Sequence, residues 1–363
     1  MLLSIITPTY NEALNIKNFI EGIEKNVKIK DYEIIFVDDN SIDQTYKIVK
    51  DIAKKKTNIR CIRRIGRRGL STAVIEGCLS SSSDLLLIMD ADLQHDESKI
   101  PLMISLLKEN NLDLIIGSRF LKTRKTKGLS RYRNFLSNLA NHIANKISGV
   151  KLTDPMSGFF LVKRSIFDSI APELSGLGFK ILLDIFASSK NKIKFKEISF
   201  DFKKRNKGAS KLDTLVIWEY LLLLWDCRFG KIIPARFLSF CLIGGSGVIV
   251  HLFILFIFIN YEFSFLYSQA IATLTAMTTN FFLNNILTYR DRRKRGADIL
   301  KALMLFYITC GIGASANIGI SNLLFLGNYS GISGVWYVSG VIGALVGAIW
   351  NFVMSSLITW KHK

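Results

Sequence analysis

Ala302–Trp360 is a run of 59 residues without one Asp, Glu, Lys or Arg. Phe237–Tyr261 and Phe263–Tyr289 are uncharged as well. A bilayer core is crossed by about 20 consecutive apolar residues. The two shorter runs therefore hold one span each, and the longest holds two with a turn at GNYSGIS (327–333). Four membrane-spanning helices are expected, because soluble helices of this length keep a polar face.

Charge separates this tail from the rest. The chain has 48 Lys and Arg against 29 Asp and Glu. From Lys231 onward there are only 10 and 3, which leaves 38 and 26 for an ordinary charged domain in front. All ten bases of the tail fall on one side of the expected spans, and the opposite loops carry only Glu262. Basic loops stay cytoplasmic, which places the N-terminal domain and both termini on that face. The apolar N-terminal stretch is short, lacks a basic residue in front and contains Pro8, so no signal peptide is expected. The net charge of +19 comes without a nucleic-acid recognition motif and suits an anionic membrane surface. Cys61, Cys78, Cys227, Cys241 and Cys310 form no CxxC pair and read as structural filler.

Residues 1–120 alternate strands and helices. LLSIITPTY, YEIIFVDD, NIRCIRR, DLLLIMDAD and LDLIIGS read as strands, with Asn11 capping the first helix and another helix starting at Glu97. Continuous apolar strands separated by helices make a mostly parallel sheet covered on both faces. Ligands bind beyond the carboxyl ends of such strands. The unusual residues fall there, at Pro8–Glu12, Asp38–Asp39 and Asp90–Asp92. Neither GxGxxG nor GxxxxGK[ST] is present, which argues against a dinucleotide site and a P-loop.

MDADLQHD (89–96) follows the apolar run of the fourth strand. In an extended segment residues i, i+2 and i+4 share a face. Asp90, Asp92 and Gln94 would then point one way while Ala91 and Leu93 turn back into the protein. Two carboxylates and an amide oxygen are hard donors suited to Mg²⁺ or Mn²⁺.

TPTYNE (7–12), VDDNSID (37–43), RGLSTAVIEG (68–77), MDADLQH (89–95), IGSRF (116–120), DPMSGFF (154–160), GFKILLDI (178–185) and RNKGASK (205–211) occur in order. Together they resemble the dolichol/polyprenyl-phosphate mannose synthases, family 2 glycosyltransferases of type A fold. The tail resembles the GtrA-type membrane domain fused to prokaryotic members. The resemblance implies a cytoplasmic catalytic domain at 1–211, interface helices at 212–234 and a four-span domain at 235–363. It also implies inverting transfer of mannose from GDP-mannose to a polyprenyl phosphate. On the matching positions, Asp90, Asp92 and Gln94 hold the metal, and Pro8, Tyr10, Glu12, Val37, Asp39 and Ala91 line the nucleotide-sugar pocket. Arg119, Arg133 and Ser137 would receive the acceptor phosphate, with Arg205, Ser210 and Lys211 on a basic loop over the phosphates. Asp92, Arg119 and Arg133 are the expected catalytic residues.

The family has two prolines after the histidine where this chain has Asp96 and Glu97, which either cap the next helix or add charge near the metal. His95 caps the metal loop, and Asp184 is either a sugar contact or a buried structural acid. A polyprenyl-phosphate glucosyltransferase with a UDP-sugar donor is one alternative. A lipid-linked sugar flippase or scaffold with a regulatory soluble domain is another. The absence of QxxRW argues against a processive polysaccharide synthase. Trp218, Tyr220 and Trp225 among leucines suit helices in the membrane interface. Small residues in GIGASANIG and GVIGALVGA permit close helix packing and a homo-oligomer through the spans.

Overall fold

The computed structural model describes residues 2–121, 143, 145–147, 149–176, 178, 180–189, 192–203, 214–230, 232–326 and 336–361. The chain divides into two compact units, Met1–Ile232 and Ile233–Lys363.

The first unit is built on a seven-stranded sheet in the order β3-β2-β1-β4-β6-β5-β7. The strands are β1 (Leu3–Thr9), β2 (Tyr32–Asp38), β3 (Ile59–Arg63), β4 (Leu85–Ile88), β5 (Leu114–Ser118), β6 (Phe160–Lys163) and β7 (Phe195–Ser199). All neighbours run parallel except β6, which is antiparallel to both β4 and β5. The first five match the apolar runs of the sequence, while β6 and β7 lie beyond the segment where strands were expected. Helices α1 (Ile16–Asn26), α2 (Thr45–Ala53), α3 (Leu70–Leu79) and α4 (Ile100–Glu109) join the early strands. Later come α5 (Arg164–Ile170), α6 (Ile181–Ser188) and α7 (Thr214–Phe229).

Side chains alternate across a strand, so the apolar strands feed two cores. Leu3, Ile5, Ile34, Phe36 and Leu87 pack with α1 and α4, whereas Ile6, Ile35, Val37, Leu86 and Ile88 pack with α3 and α6. Gly77 sits where α3 crosses β1 and β2. A Cβ there would collide with Ile6 Cγ2 and come within 2.9 Å of Val37 Cγ2. Gly77→Ala is expected to cost about 1–3 kcal/mol through overpacking, read as a lower denaturation midpoint. A midpoint at or above the native one would refute this close approach.

Two local expectations fail. Asn11 does not cap α1: its φ is 58° and its Oδ1 accepts from the Ile42 N–H at 3.0 Å. Helix α1 begins only at Ile16, after a turn, because Asn11 is used to join two loops. The helix expected at Glu97 opens instead with a 3₁₀ turn, Glu97–Lys99, before α4.

The second unit contains α8 (Ala235–Asn260), α9 (Phe265–Leu283), α10 (Asp298–Leu326) and α11 (Trp336–Met354). Short π-helical turns, Asn284–Thr288 and Ser355–Thr359, extend α9 and α11. Ala235–Asn260 and Asp298–Ser315 are long and apolar enough to cross a membrane. An aromatic cluster of Phe240, Phe281, Tyr289, Phe306 and Trp360 forms the core of this unit.

Candidate active site

The carboxyl ends of β1, β2 and β4 lie side by side, because β1 pairs with both other strands. The strand-end residues therefore assemble around the point where the strand order reverses. The β1 and β2 loops are laced by hydrogen bonds. Asn11 N–H donates to Ser41 Oγ at 2.9 Å, Glu12 N–H to Thr45 Oγ1 at 3.1 Å and Ala13 N–H to Asp43 Oδ2 at 3.0 Å. Glu12 is buried and accepts from Asn15 Nδ2 at 2.7 Å. The Arg68 guanidinium lies 4.4 Å over the Tyr10 ring.

Asp39 is the hub of this corner. Its N–H donates to Thr9 O at 3.0 Å, and its Oδ2 accepts from Gly69 N–H at 2.8 Å. Its Oδ1 pairs at 2.7 Å with Nε of Arg64, itself only 1% exposed. Burial raises the Asp39 pKa, with Gly69 and Arg64 opposing, and burial lowers that of Arg64. Gly69, at φ 143°, adopts a backbone open to glycine, which lets its N–H reach the carboxylate. Sequence reasoning missed Arg64, because a lone arginine after a strand carries no local signature of burial.

Of the proposed pocket residues, Val37 and Ala91 turn their side chains into the cores, at 0% and 1% exposure. Pro8 and Tyr10 remain partly exposed.

The segment after β4 is not extended, which corrects the expected alternation. The strand ends at Ile88, residues 91–93 bend, and Leu93 has a φ of 63°. Asp92 Oδ1 accepts from Gln94 N–H at 3.1 Å, closing a turn that reverses the chain. His95 is 4% exposed, stacks on Phe159 at 5.2 Å and accepts the Asp90 N–H through Nδ1 at 3.3 Å. Burial, then the Arg119 charge, pushes its pKa down to about 3, so it is a neutral acceptor. Gln94 Nε2 donates to Lys203 O at 3.1 Å while Lys203 N–H donates to Gln94 O at 3.0 Å. Asp96 caps the 3₁₀ turn by accepting from Ser98 N–H at 3.1 Å, and Glu97 is neutralised by Lys203 at 3.0 Å.

Among the described residues no group of three or more His, Cys, Asp or Glu gathers to hold a metal ion. Mg²⁺ often takes one or two carboxylates and completes its shell with substrate phosphates and water. Asp90 and Asp92 are the two carboxylates that the segment after β4 supplies for such a role. Gly158 keeps the space beside Asp90 clear, since a Cβ there would meet Oδ2 at 2.9 Å.

Arg119 is held by Asp154, which is fully buried. Nε donates to Oδ2 at 2.7 Å and Nη2 to Oδ1 at 2.8 Å. Burial alone would lower the Arg119 pKa, but these bonds, the Asp154 charge and that of Asp90 raise it above its usual value. Asp154 thus takes the Nε–H and one Nη2–H of the guanidinium, whose five donors exceed what this one carboxylate accepts. Lys180 lies within electrostatic range of Arg119, Asp154 and Asp90; burial and then Arg119 push its pKa down to about 8. Sequence reasoning assigned no role to Asp154 or Lys180, although both stand in motifs it singled out. Arg133, Ser137, Arg205, Ser210 and Lys211 lie outside the described residues.

Asp184 is a structural acid by its contacts. It is 1% exposed, and Oδ2 accepts from Ser175 Oγ at 2.9 Å and Gly176 N–H at 3.2 Å, while Oδ1 accepts from Ser188 Oγ at 3.2 Å. An asparagine can keep all of these by turning its NH₂ to Ser188. Asp184→Asn is therefore expected within about 1 kcal/mol of native stability, and Asp184→Ala about 1–3 kcal/mol below it. Burial raises the Asp184 pKa above 3.8, so the folded state holds this proton more tightly than the unfolded chain. Its contribution to stability falls as pH rises from 3.8 through the folded value, and Asp184→Asn should remove that slope. Urea titrations at several pH values test both statements, and a large loss in Asp184→Asn refutes them.

Residues 4–171 match Glycosyl transferase family 2, and residues 239–360 match the GtrA/DPMS transmembrane domain. A dolichol-phosphate mannosyltransferase of Pyrococcus furiosus is 33% identical over 370 residues, spanning 99% of both chains. The chain belongs to the dolichol-phosphate mannosyltransferase family. Two other relatives named dolichol-phosphate mannosyltransferase align over less of the chain. That of Saccharomyces cerevisiae is 34% identical over 60% of this chain and 84% of its own. That of Mycosarcoma maydis is 31% identical over 63% and 81%. Membership makes the protein a glycosyltransferase with a membrane-associated helical domain, on the mostly parallel α/β sheet expected of a type A fold.

Proposed function

We propose that this protein transfers mannose from GDP-mannose, with inversion, to a polyprenyl or dolichyl phosphate at the cytoplasmic membrane face. The observation that carries this reading is the end-to-end match to the Pyrococcus furiosus dolichol-phosphate mannosyltransferase. The assembled strand ends support it. Asp39, Glu12, Tyr10 and Pro8 border the donor, with the backbone at Val37 and Ala91. Asp90 and Asp92, with Gln94 beside them, would hold Mg²⁺ or Mn²⁺, which neutralises a leaving diphosphate. Arg119, fixed by Asp154, meets the acceptor phosphate, with Arg133 and Ser137. Arg205, Ser210 and Lys211 cover the phosphates. Helix α7, with Trp218, Tyr220 and Trp225, lies in the membrane interface, and α8 to α11 are the four spans.

No general base is assigned. A phosphate monoester has a second pKa of about 6, so the acceptor oxygen is anionic when it attacks. The work left to the protein is to bring two anions together and screen their charge. The acid limb of the pH–rate profile is expected to follow the acceptor phosphate and to move with an analogue of lower phosphate pKa. An unmoved limb would assign it to an enzyme group.

Membranes containing the protein, given radiolabelled GDP-mannose, GDP-glucose or UDP-glucose with each polyprenyl phosphate, test the reading. A labelled mannosyl lipid from GDP-mannose is expected. Label only from UDP-glucose would make it a glucosyltransferase.

A further inference from the structure

The helical unit contains the same pattern twice. NFFLNNILTYR (280–290) and NFVMSSLITWK (351–361) share Asn-Phe at the start and Thr-aromatic-base at the end, in one register. Upstream, FCLIGGSG (240–247) and FYITCGIG (306–313) share the Phe and two glycines at equal spacing. In each half the second glycine faces the asparagine of the following helix, Gly247 against Asn280 and Gly313 against Asn351.

The backbone repeats as well. The π-helical turns Asn284–Thr288 and Ser355–Thr359 occupy equivalent positions. Each ends on an aromatic residue, Tyr289 at φ −113°, ψ 36° and Trp360 at φ −111°, ψ 38°. Their N–H groups bond Asn284 O and Ser355 O at 2.8 and 2.9 Å.

The contacts between the halves are reciprocal. Trp360 Nε1–H donates to Asn285 Oδ1 at 3.0 Å, and the equivalent pair, Tyr289 OH and Ser356 Oγ, shares a bond at 2.8 Å. Phe281 meets Phe306 at 5.8 Å, and the equivalent pair, Phe352 and Phe240, meets at 5.7 Å. Tyr289 and Trp360, equivalent to each other, stack at 4.2 Å with 4° between their planes. When i of one copy touches j of the other and j touches i, the interface is isologous, as in a two-fold dimer.

We infer that the helical unit is an internal duplication: two copies of one helical hairpin, α8–α9 and α10–α11, each docked on the other through a self-complementary surface. The partner this surface fits is a second copy of the hairpin, supplied here by the same chain. The hairpins run in the same sense, since each begins and ends at the clasped end. In a bilayer that gives a parallel repeat, with its axis along the membrane normal. The duplication accounts for a loose end. Ser239 Oγ shares a 2.7 Å bond with Thr288 Oγ1, whereas the equivalent Thr359 Oγ1 has no partner among the described residues. The position equivalent to Ser239 is Leu305.

The inference does not depend on which sugar is transferred. Its test is thermal unfolding of the full chain in detergent. Leu305→Ser should supply the missing partner and leave the midpoint at or above native, yet lower it by about 3 °C or more when combined with Thr359→Val. Exchanging the stacked rings, Tyr289→Trp with Trp360→Tyr, should recover at least half of the summed single losses. Each tip then finds the other copy's acceptor. A Leu305→Ser loss of equal size in both backgrounds, or additive losses in the exchange, would overturn the duplication.

Discussion

Asp92→Asn is expected to lower kcat by about a thousandfold while leaving the fold intact. The substitution keeps an oxygen to accept the Gln94 N–H, so the turn at Leu93 survives. On the proposed function, what it removes is one of the two carboxylate charges that would hold a divalent cation against the leaving diphosphate. Charge stabilisation of that kind contributes several kcal/mol, and a loss of about 4 kcal/mol corresponds to a factor of roughly a thousand. Asp92→Ala should be as inactive and also less stable, because it removes the turn. Initial rates with GDP-mannose and a polyprenyl phosphate, with and without EDTA, check the assignment. Native rates in Asp92→Asn, or undiminished transfer after exhaustive chelation, would sink it.

Arg119→Ala is expected to cost about 3–5 kcal/mol of stability, because it takes both hydrogen-bonded guanidinium donors from the fully buried Asp154 and leaves only the more distant Lys180 charge. The loss of fold would mask any loss of chemistry. The pair Arg119→Met with Asp154→Leu separates the two, since replacing a whole buried ion pair by apolar groups is often close to neutral. The double variant should regain most of the stability and still fail to transfer. Denaturant titration and initial rates on the same preparations decide. A stable and active double variant would reduce Arg119 to a structural role.

Much of this protein follows from periodicity and composition. Apolar runs of four to seven residues separated by amphipathic segments dictate an α/β sheet, and long uncharged runs dictate membrane helices. The gathering of acids at neighbouring strand ends was legible for the same reason: once the apolar runs are read as parallel strands, Asp38, Asp39, Asp90 and Asp92 stand where those strands stop.

Other features depended on which strands and loops become neighbours. Asp154 meets Arg119 across 35 positions, because Thr153 and Asp154 lead toward β6, inserted between β4 and β5. Arg64 is buried against Asp39 because the β2 and β3 ends adjoin. Asn11 and Leu93 take left-handed backbone that local pattern does not announce, the first to bond a distant loop and the second to turn the chain after Asp92. The two hairpins share few residues in sequence, and their equivalence emerges from reciprocal contacts. Local order follows from the spacing of apolar side chains along the chain. The partner of a buried charge or polar tip is set by long-range packing, which brings together groups that sequence keeps far apart.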